Sequence, residues 1–278
     1  MAFKVFLVYC SPAGTTRKMA RVVETYFPAE VRVLEAGRGG EDRFLDEMAQ
    51  TPGRVLLWLG SPVYSSHALP LIMDFIARLP ARPAAWSVPF VTWGGATSGL
   101  ALEEMGAALV ERGYPLLGAA KIMALHSLMF EVADPVGRGR PDAGDEKLMA
   151  ELCAAVAAAL AREQPRPLDP ARLAYQEREA AAAMRQLSLK VARGILPPRE
   201  VLAERCTGCG VCVENCPVAA VSLEPLPVYG ESCILCFNCM RLCPEAAIRA
   251  DLTAIHQRVR ERAEKYSESP LSEIFMAG

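Results

Sequence analysis

Phe3-Lys4-Val5-Phe6-Leu7-Val8-Tyr9-Cys10-Ser11-Pro12-Ala13-Gly14-Thr15-Thr16 decides the fold of the first half of the chain. The apolar run Phe3 to Tyr9, rich in β-branched and aromatic residues, reads as a strand. The Ser-Pro-Ala-Gly-Thr-Thr turn then opens a helix from about Thr16 to Tyr26. The pattern repeats: strand Val31 to Leu34 with helix Glu41 to Gln50, and strand Arg54 to Leu59 with a helix from about Leu69 to Leu79. Strand Val88 to Trp93 precedes a helix from about Ser98 to Arg112. Strand Leu116 to Met123 precedes a Gly/Pro/Asp-rich loop at Pro135 to Gly144 and a helix from about Asp145 to Arg162. Strands alternating with helices predict an α/β fold whose parallel sheet is covered on both faces.

The 278 residues, 52% of them hydrophobic, suit about two domains, each with a core. A Pro-rich break, Gln164 to Pro170, ends the first domain at about residue 163. Residues 164–203 hold that break and a connector helix expected from about Ala171 to Arg193, and a small domain follows at 204–251. A charged helix, Thr253 to Lys265, and a loosely held tail, Ser267 to Gly278, make up 252–278. The 30 Lys+Arg against 32 Asp+Glu leave a net charge of -2, which gives neither a nucleic-acid footprint nor a polybasic membrane handle. Met149 to Ala161, broken by Glu151, is too short to span a bilayer, and Met1-Ala2 leads into a strand without a signal-peptide pattern. A soluble cytoplasmic protein is expected, with nothing in the sequence that fixes its oligomeric state; a homo-oligomer stays open.

Eight of the ten cysteines lie between Cys206 and Cys243. Cys206, Cys209, Cys212 and Cys216-Pro217 form C-x2-C-x2-C-x3-C-P, and a shift of 27 lands each on Cys233, Cys236, Cys239 and Cys243-Pro244. In a reducing compartment so dense a cluster is a metal site, and this spacing is that of 4Fe-4S ligation. Structural zinc, which also uses Cys-x2-Cys knuckles, is the alternative. The segment from about Glu204 to Asp251 resembles the bacterial two-cluster ferredoxins. In that class the fourth Cys of each motif ligates the other cluster. Cys206, Cys209, Cys212 and Cys243 are then expected on one 4Fe-4S cluster, and Cys216, Cys233, Cys236 and Cys239 on the other. The resemblance further implies that Ala219-Ala220-Val221 and Ala246-Ala247-Ile248 pack against the clusters. Gly208 and Gly210 would permit close backbone approach, while Ile234, Leu235, Phe237 and Met240 would keep the second site dry.

In a doubly wound sheet, ligands sit at the carboxyl ends of the strands. The loop Ser11 to Thr16 offers amides, hydroxyls and a positive helix end to a phosphate, with an ordinary capping turn as the alternative. With Gly60-Ser61-Pro62-Val63-Tyr64 and Trp93-Gly94-Gly95-Ala96, residues 1–163 resemble a flavodoxin, and the whole chain is similar to ferredoxin-fused flavodoxin-like proteins. The resemblance implies a five-stranded parallel sheet of order 2-1-3-4-5 and FMN. Its phosphate would sit on Ser11, Ala13, Gly14, Thr15 and Thr16, and its ring between Pro62, Val63, Tyr64 and Ser65 and Trp93, Gly94, Gly95, Ala96 and Thr97. Thr15-Thr16 replaces the usual Asn-Thr of that loop. Tyr64 and Trp93 are expected to stack on the ring or to seal the sheet edge. The loops carry no Asp or Glu beside the ring, which favours a flavin less tuned to single-electron shuttling.

His67 and His126, just after strands, are candidate proton donors, with a structural role as the alternative. His256 is expected at the surface, and Cys10 and Cys153 in the core. Two 4Fe-4S clusters and FMN together predict an enzyme, an FMN- and iron-sulfur-dependent oxidoreductase passing electrons between clusters and flavin, and on to a small acceptor or a partner protein. A dedicated electron carrier, or a ferredoxin on a scaffold that has lost its flavin, are the other two readings.

Overall fold

The computed structural model describes residues 3–82 and 84–277, so the reading of Met1-Ala2 lies outside the described residues, as do Pro83 and Gly278. Along the chain come β1 (Phe3–Tyr9), α1 (Thr15–Tyr26), β2 (Val31–Glu35), α2 (Glu41–Gln50), β3 (Arg54–Tyr64), β4 (His67–Ala68), α3 (Pro70–Ala77), β5 (Ala85–Trp93), α4 (Ala101–Glu111), β6 (Gly118–Met123) and α5 (Ala143–Leu160). The parallel strands lie in the order β2-β1-β3-β5-β6, the 2-1-3-4-5 arrangement. The chain therefore has a flavodoxin-like α/β sheet.

Strand alternation splits the core into two layers. Val5, Leu7 and Tyr9 of β1 face Met19 and Val23 of α1 and Leu152, Cys153 and Val156 of α5. Phe6, Val8 and Cys10 face Phe44 and Met48 of α2, Phe75 of α3 and Met105 of α4. Each large apolar side chain fully buried this way contributes roughly 1.5–3 kcal/mol. Cys10 and Cys153 are core residues, and burial pushes each thiol up to about 12. The third strand runs five residues beyond the expected Leu59. Gly60 to Pro62 continue the pairing with Phe90 to Thr92, and Val63 and Tyr64 fold back on β4.

After the sheet come α6 (Arg178–Arg185), α7 (Leu189–Ile195), β7 (Glu200–Val201), α8 (Val211–Glu214), β8 (Val221–Leu223), β9 (Pro227–Tyr229), α9 (Asn238–Arg241), β10 (Ile248–Arg249), α10 (Thr253–Tyr266) and β11 (Glu273–Met276). The single connector helix expected from Ala171 to Arg193 is instead a 3-10 turn at Pro170–Leu173 followed by α6 and α7. Ser188, in extended conformation, breaks the run and caps α7 by accepting from the Val191 amide. The Pro-rich segment is anchored by Leu168, whose amide donates to Leu116 O.

The expected loose tail is a built edge of the sheet. β11 pairs antiparallel with β6, from Glu273 opposite Lys121 to Met276 opposite Gly118. Trp93 Nε1 donates to Leu271 O at 3.0 Å, and Tyr175 stacks on Phe275. Four residues of Glu-Ile-Phe-Met are too short for periodicity to register as a strand. Glu268 ties this tail to the loop after β5: it accepts from the Ser98 amide at 2.8 Å, from Ser98 Oγ, and from buried Lys121 Nζ at 3.0 Å. Burial would raise the Glu268 pKa, but the Ser98 and Lys121 interactions outweigh it and hold the carboxyl below its ordinary value.

Removing one partner of a buried ion pair costs about 3–5 kcal/mol, since the other charge is left without compensation. Lys121 keeps a second acid, Glu273 at 3.7 Å, so Glu268→Ala is expected to lose stability by less than that full amount in urea denaturation. A carboxylate with a depressed folded pKa stabilises fully above its unfolded value near 4.5 and loses the contribution as pH falls. Below that pH the wild-type chain should therefore lose stability more steeply than Glu268→Gln, and parallel acid slopes would contradict the assignment.

Candidate functional site

The carboxyl ends of β1, β3 and β5 open into a cavity of about 470 Å³, within the usual range of small-molecule sites, about 300–1,000 Å³. Its walls include Ala13 and Thr15 from the first loop, Pro62, Val63, Tyr64 and Ser65 from the end of β3, and Gly94, Ala96 and Thr97 after β5. The loop residues expected to share a ligand are thus brought together. Ser65 and Ser66 take left-handed φ of 52° and 72° in the tight turn between β3 and β4, which delivers Tyr64 to the wall. Tyr64 Oη is buried with no hydrogen-bond partner among the described residues, and burial drives its pKa up.

Around the first loop the division of labour is narrower than expected. Ser11 Oγ accepts from the Arg17 amide, and Thr16 Oγ1 pairs with Thr92 Oγ1 at 2.7 Å, so both hydroxyls serve the fold. Gly14, left-handed at φ 89°, caps α1 without a side chain. What remains for an anion is the Thr15 hydroxyl and the Thr15 and Thr16 amides at the positive end of α1. Ser11, Gly14, Thr16 and Gly95 do not line the cavity itself.

Of the two candidate histidines, only His126 lines the cavity. An added Cβ on Gly94 would lie 2.7 Å from His126 Cδ2, so glycine there admits the ring. His126 Nδ1 accepts from the Leu128 amide, leaving Nε2 as the protonated nitrogen of the neutral ring. Burial pushes its pKa down to about 4, with His256 and Arg262 adding to the effect. His67 does not fit its expected role. Its Nδ1 pairs with Glu104 at 2.6 Å and its Nε2 donates to Met184 O at 3.1 Å, so both nitrogens are committed to holding α6 against α4. His256 also departs from expectation, because Nε2 donates to Leu128 O and the ring is half-buried. Trp93 stands in the wall, but at 1% exposure, with its N–H pinned to Leu271, it is a strut and offers no free stacking face.

The cysteine segment forms two groups. Cys206, Cys209, Cys212 and Cys243 surround one small cavity, closed by Gly208, Gly210 and Ile248. Burial drives the Cys236 thiol up to about 12, with Cys239, Cys233 and Cys216 close enough to add to the effect. Each group draws its fourth Cys from the other motif. Among the described residues no three His, Cys, Asp or Glu side chains close on a single metal ion. The repeat of 27 extends to the backbone. Gly208, Gly210 and Ala219 are left-handed at φ 68°, 78° and 47°, and Leu235, Phe237 and Ala246 repeat them at 58°, 54° and 46°. The two left-handed alanines aim the next amides at sulfur: Ala220 N donates to Cys216 Sγ at 3.1 Å and Ala247 N to Cys243 Sγ at 3.3 Å. Leu235 and Phe237 hold a conformation that costs on the order of 1–3 kcal/mol for a residue with a Cβ. In exchange Leu235 and Ile234 form part of the cavity wall beside Tyr64, and Phe237 is buried under α10.

The cysteine module is thereby docked on the sheet's loops. Arg241 donates to Pro12 O and Ala13 O, and Arg38 Nη1 donates to Glu214 O. Arg241 and Arg199, which contacts the inner sulfurs, carry no sequence signal because lone arginines fit no ligand spacing. The cavity's far wall comes from α7 and α10, including Leu189, Val191, Ile255, Arg258 and Arg262.

A 4Fe-4S binding domain family matches residues 200–222, which contain the first cysteine motif. The chain thus carries a 4Fe-4S binding segment joined to a flavodoxin-like sheet. Against curated proteins it has no match. Similar solved structures include rubredoxin oxygen:oxidoreductase from the anaerobe Desulfovibrio gigas, at 18% identity over 56% of this chain and 36% of that one, TM-score 0.46. The Flv1 flavodiiron core from Synechocystis sp. PCC6803 is 17% identical over 57% and 36%, TM-score 0.45. An apo NADH:FMN oxidoreductase (EmoB) is 15% identical over 60% and 95%, TM-score 0.43. The chain spans 36% of the length of each of the first two.

Gly37, left-handed at φ 86°, marks a tight contact between the modules, since an added Cβ would fall 1.8 Å from Pro217 O. Gly39, at φ 84°, has open space instead. Gly37→Ala is expected to raise deuterium uptake around residues 212–222, while Gly39→Ala, with the same backbone penalty, leaves it unchanged. Equal uptake in the two variants would mean that the contact does not hold the module in place.

Proposed function

We propose that the chain is an iron-sulfur flavoprotein oxidoreductase in which two 4Fe-4S clusters exchange electrons with FMN inside one protomer. The observation that carries the reading is the shared wall: Ile234 and Leu235, between Cys233 and Cys236, line the same cavity as the flavodoxin-like loops. Cys206, Cys209, Cys212 and Cys243 would hold the outer cluster, and Cys216, Cys233, Cys236 and Cys239 the inner one. A donor set made only of thiolates, arranged around a volume and not a point, suits such clusters better than a single zinc ion. FMN, when bound, interconverts single-electron and hydride chemistry.

The chain's own residues divide the work. The Thr15 and Thr16 amides and the end of α1 would take the phosphate, helped by Ala13 and Thr15 in the wall. Tyr64, whose hydroxyl has no hydrogen-bond partner among the described residues, and Pro62, Val63, Ser65, Gly94, Ala96 and Thr97 would enclose the ring. His126 would present a neutral Nε2–H as hydrogen-bond or proton donor, because its low pKa keeps it uncharged across the physiological range. The walls from α7 and α10 exceed what a flavin carried for shuttling needs, and they favour an enzyme with an enclosed acceptor over a dedicated carrier.

Anaerobically purified protein is expected to contain about one FMN and about eight irons per chain. In a potentiometric titration the flavin should take up two electrons in one step. Two well-separated one-electron steps would move the assignment to a carrier. Clusters without flavin would remove the enzyme reading and leave the cysteine ligands standing.

A further inference from the structure

The two cysteine groups share a backbone, but only the inner one has a cation in contact with its sulfurs among the described residues. The cavity of the outer group includes exposed Cys209, and its only charged wall residue is Glu245. The inner group lies under Arg199. Nη1 and Nη2 of this guanidinium each sit 3.4 Å from Cys233 Sγ, and Nη1 sits 3.7 Å from Cys239 Sγ. The guanidinium lies over the Tyr229 ring, 3.7 Å from its centroid, with the Phe237 ring at 5.3 Å. Tyr229 Oη is buried and has no partner among the described residues, a second donor in the same layer.

Four thiolates around a 4Fe-4S cluster leave it negatively charged, and an added electron increases that charge. Burial disfavours the increase, whereas a fixed cation and hydrogen bonds to sulfur favour it, and in a poorly solvated layer the cation acts with little screening. We propose that Arg199 sets the direction of electron flow within the chain, by stabilising an electron on the inner cluster relative to the outer one. The inference rests on the two-cluster reading above. The transfer is balanced within the protein: the outer cluster is oxidised by one electron, the inner is reduced by one, and no bond or proton changes place. The electron enters from a low-potential one-electron donor on the exposed Cys209 side and comes to rest beside Leu235 and the cavity.

The test is a redox titration of the full chain followed by electron paramagnetic resonance. The inner signal is identified as the one altered in Cys236→Ser and retained in Cys209→Ser. In wild-type protein the inner signal should develop first. Arg199→Gln is expected to shift the inner-to-outer distribution at least tenfold toward the outer cluster, about 59 mV for a one-electron couple. Arg199→Lys, which keeps the charge but loses the planar fork, should shift it less in the same direction. It serves as the deciding variant if Arg199→Gln loses iron. An unchanged distribution with about eight irons overturns the role of Arg199 alone. About four irons in the wild-type chain removes the two-cluster reading, and this proposal with it.

Discussion

Backbone contact between Gly37 and Pro217 governs how near the cysteine module can come to the sheet. Pro217 follows Cys216, so the loop after β2 carries an inner sulfur ligand candidate directly on its surface. Arg241 completes the contact by donating hydrogen bonds to the Pro12 and Ala13 carbonyls. Those two bonds tie the cysteine module directly to the loop that leads into α1. One interface therefore sets the separation of the modules and holds the loop whose Ala13 and Thr15 line the cavity.

The layer between the cavity and the inner sulfurs is almost entirely apolar: Ile234 and Leu235 with Val63 and partly buried Tyr64. Such a layer excludes water and lowers the effective dielectric, so each charge nearby counts for more. That explains why the second motif accepts Leu235 and Phe237 at left-handed positions where the first uses glycine. Glycines would relieve the backbone but would leave the layer open to water. The strain is concentrated on the side where dryness matters, and the outer group, open to solvent at Cys209, uses the relaxed solution.

While the strand order came only with the resemblance, the parallel sheet, the two cysteine motifs and the loop before α1 were legible in the sequence. Each rests on local signals: alternating strand runs, fixed cysteine spacing, small residues before a helix. Features made by distant pairing were not. Glu273–Met276 becomes a strand only because the β6 edge is free, and Glu268 is decisive only because Lys121 is buried opposite it. His67 follows a strand as a catalytic group would, yet the antiparallel turn at Ser65 and Ser66 reverses the chain and sends its ring to Glu104 and Met184. The same turn puts Tyr64 in the wall, so one unforeseen reversal removed one candidate and kept another.

The end of the chain also shapes the cavity. The tail continues from α10 through Ser267 to β11, and α10 is a wall of the cavity, so pairing of β11 with β6 fixes where α10 can lie. Through Glu268 the same tail orders Thr97 and Ser98, which belong to the loop after β5. The cavity is thus bounded on one side by the cysteine module and on another by a tail that returns to the first sheet. Neither module closes it alone. An occupant would contact both, which couples the shape of the acceptor site to the docking of the cysteine module without requiring any movement of the sheet.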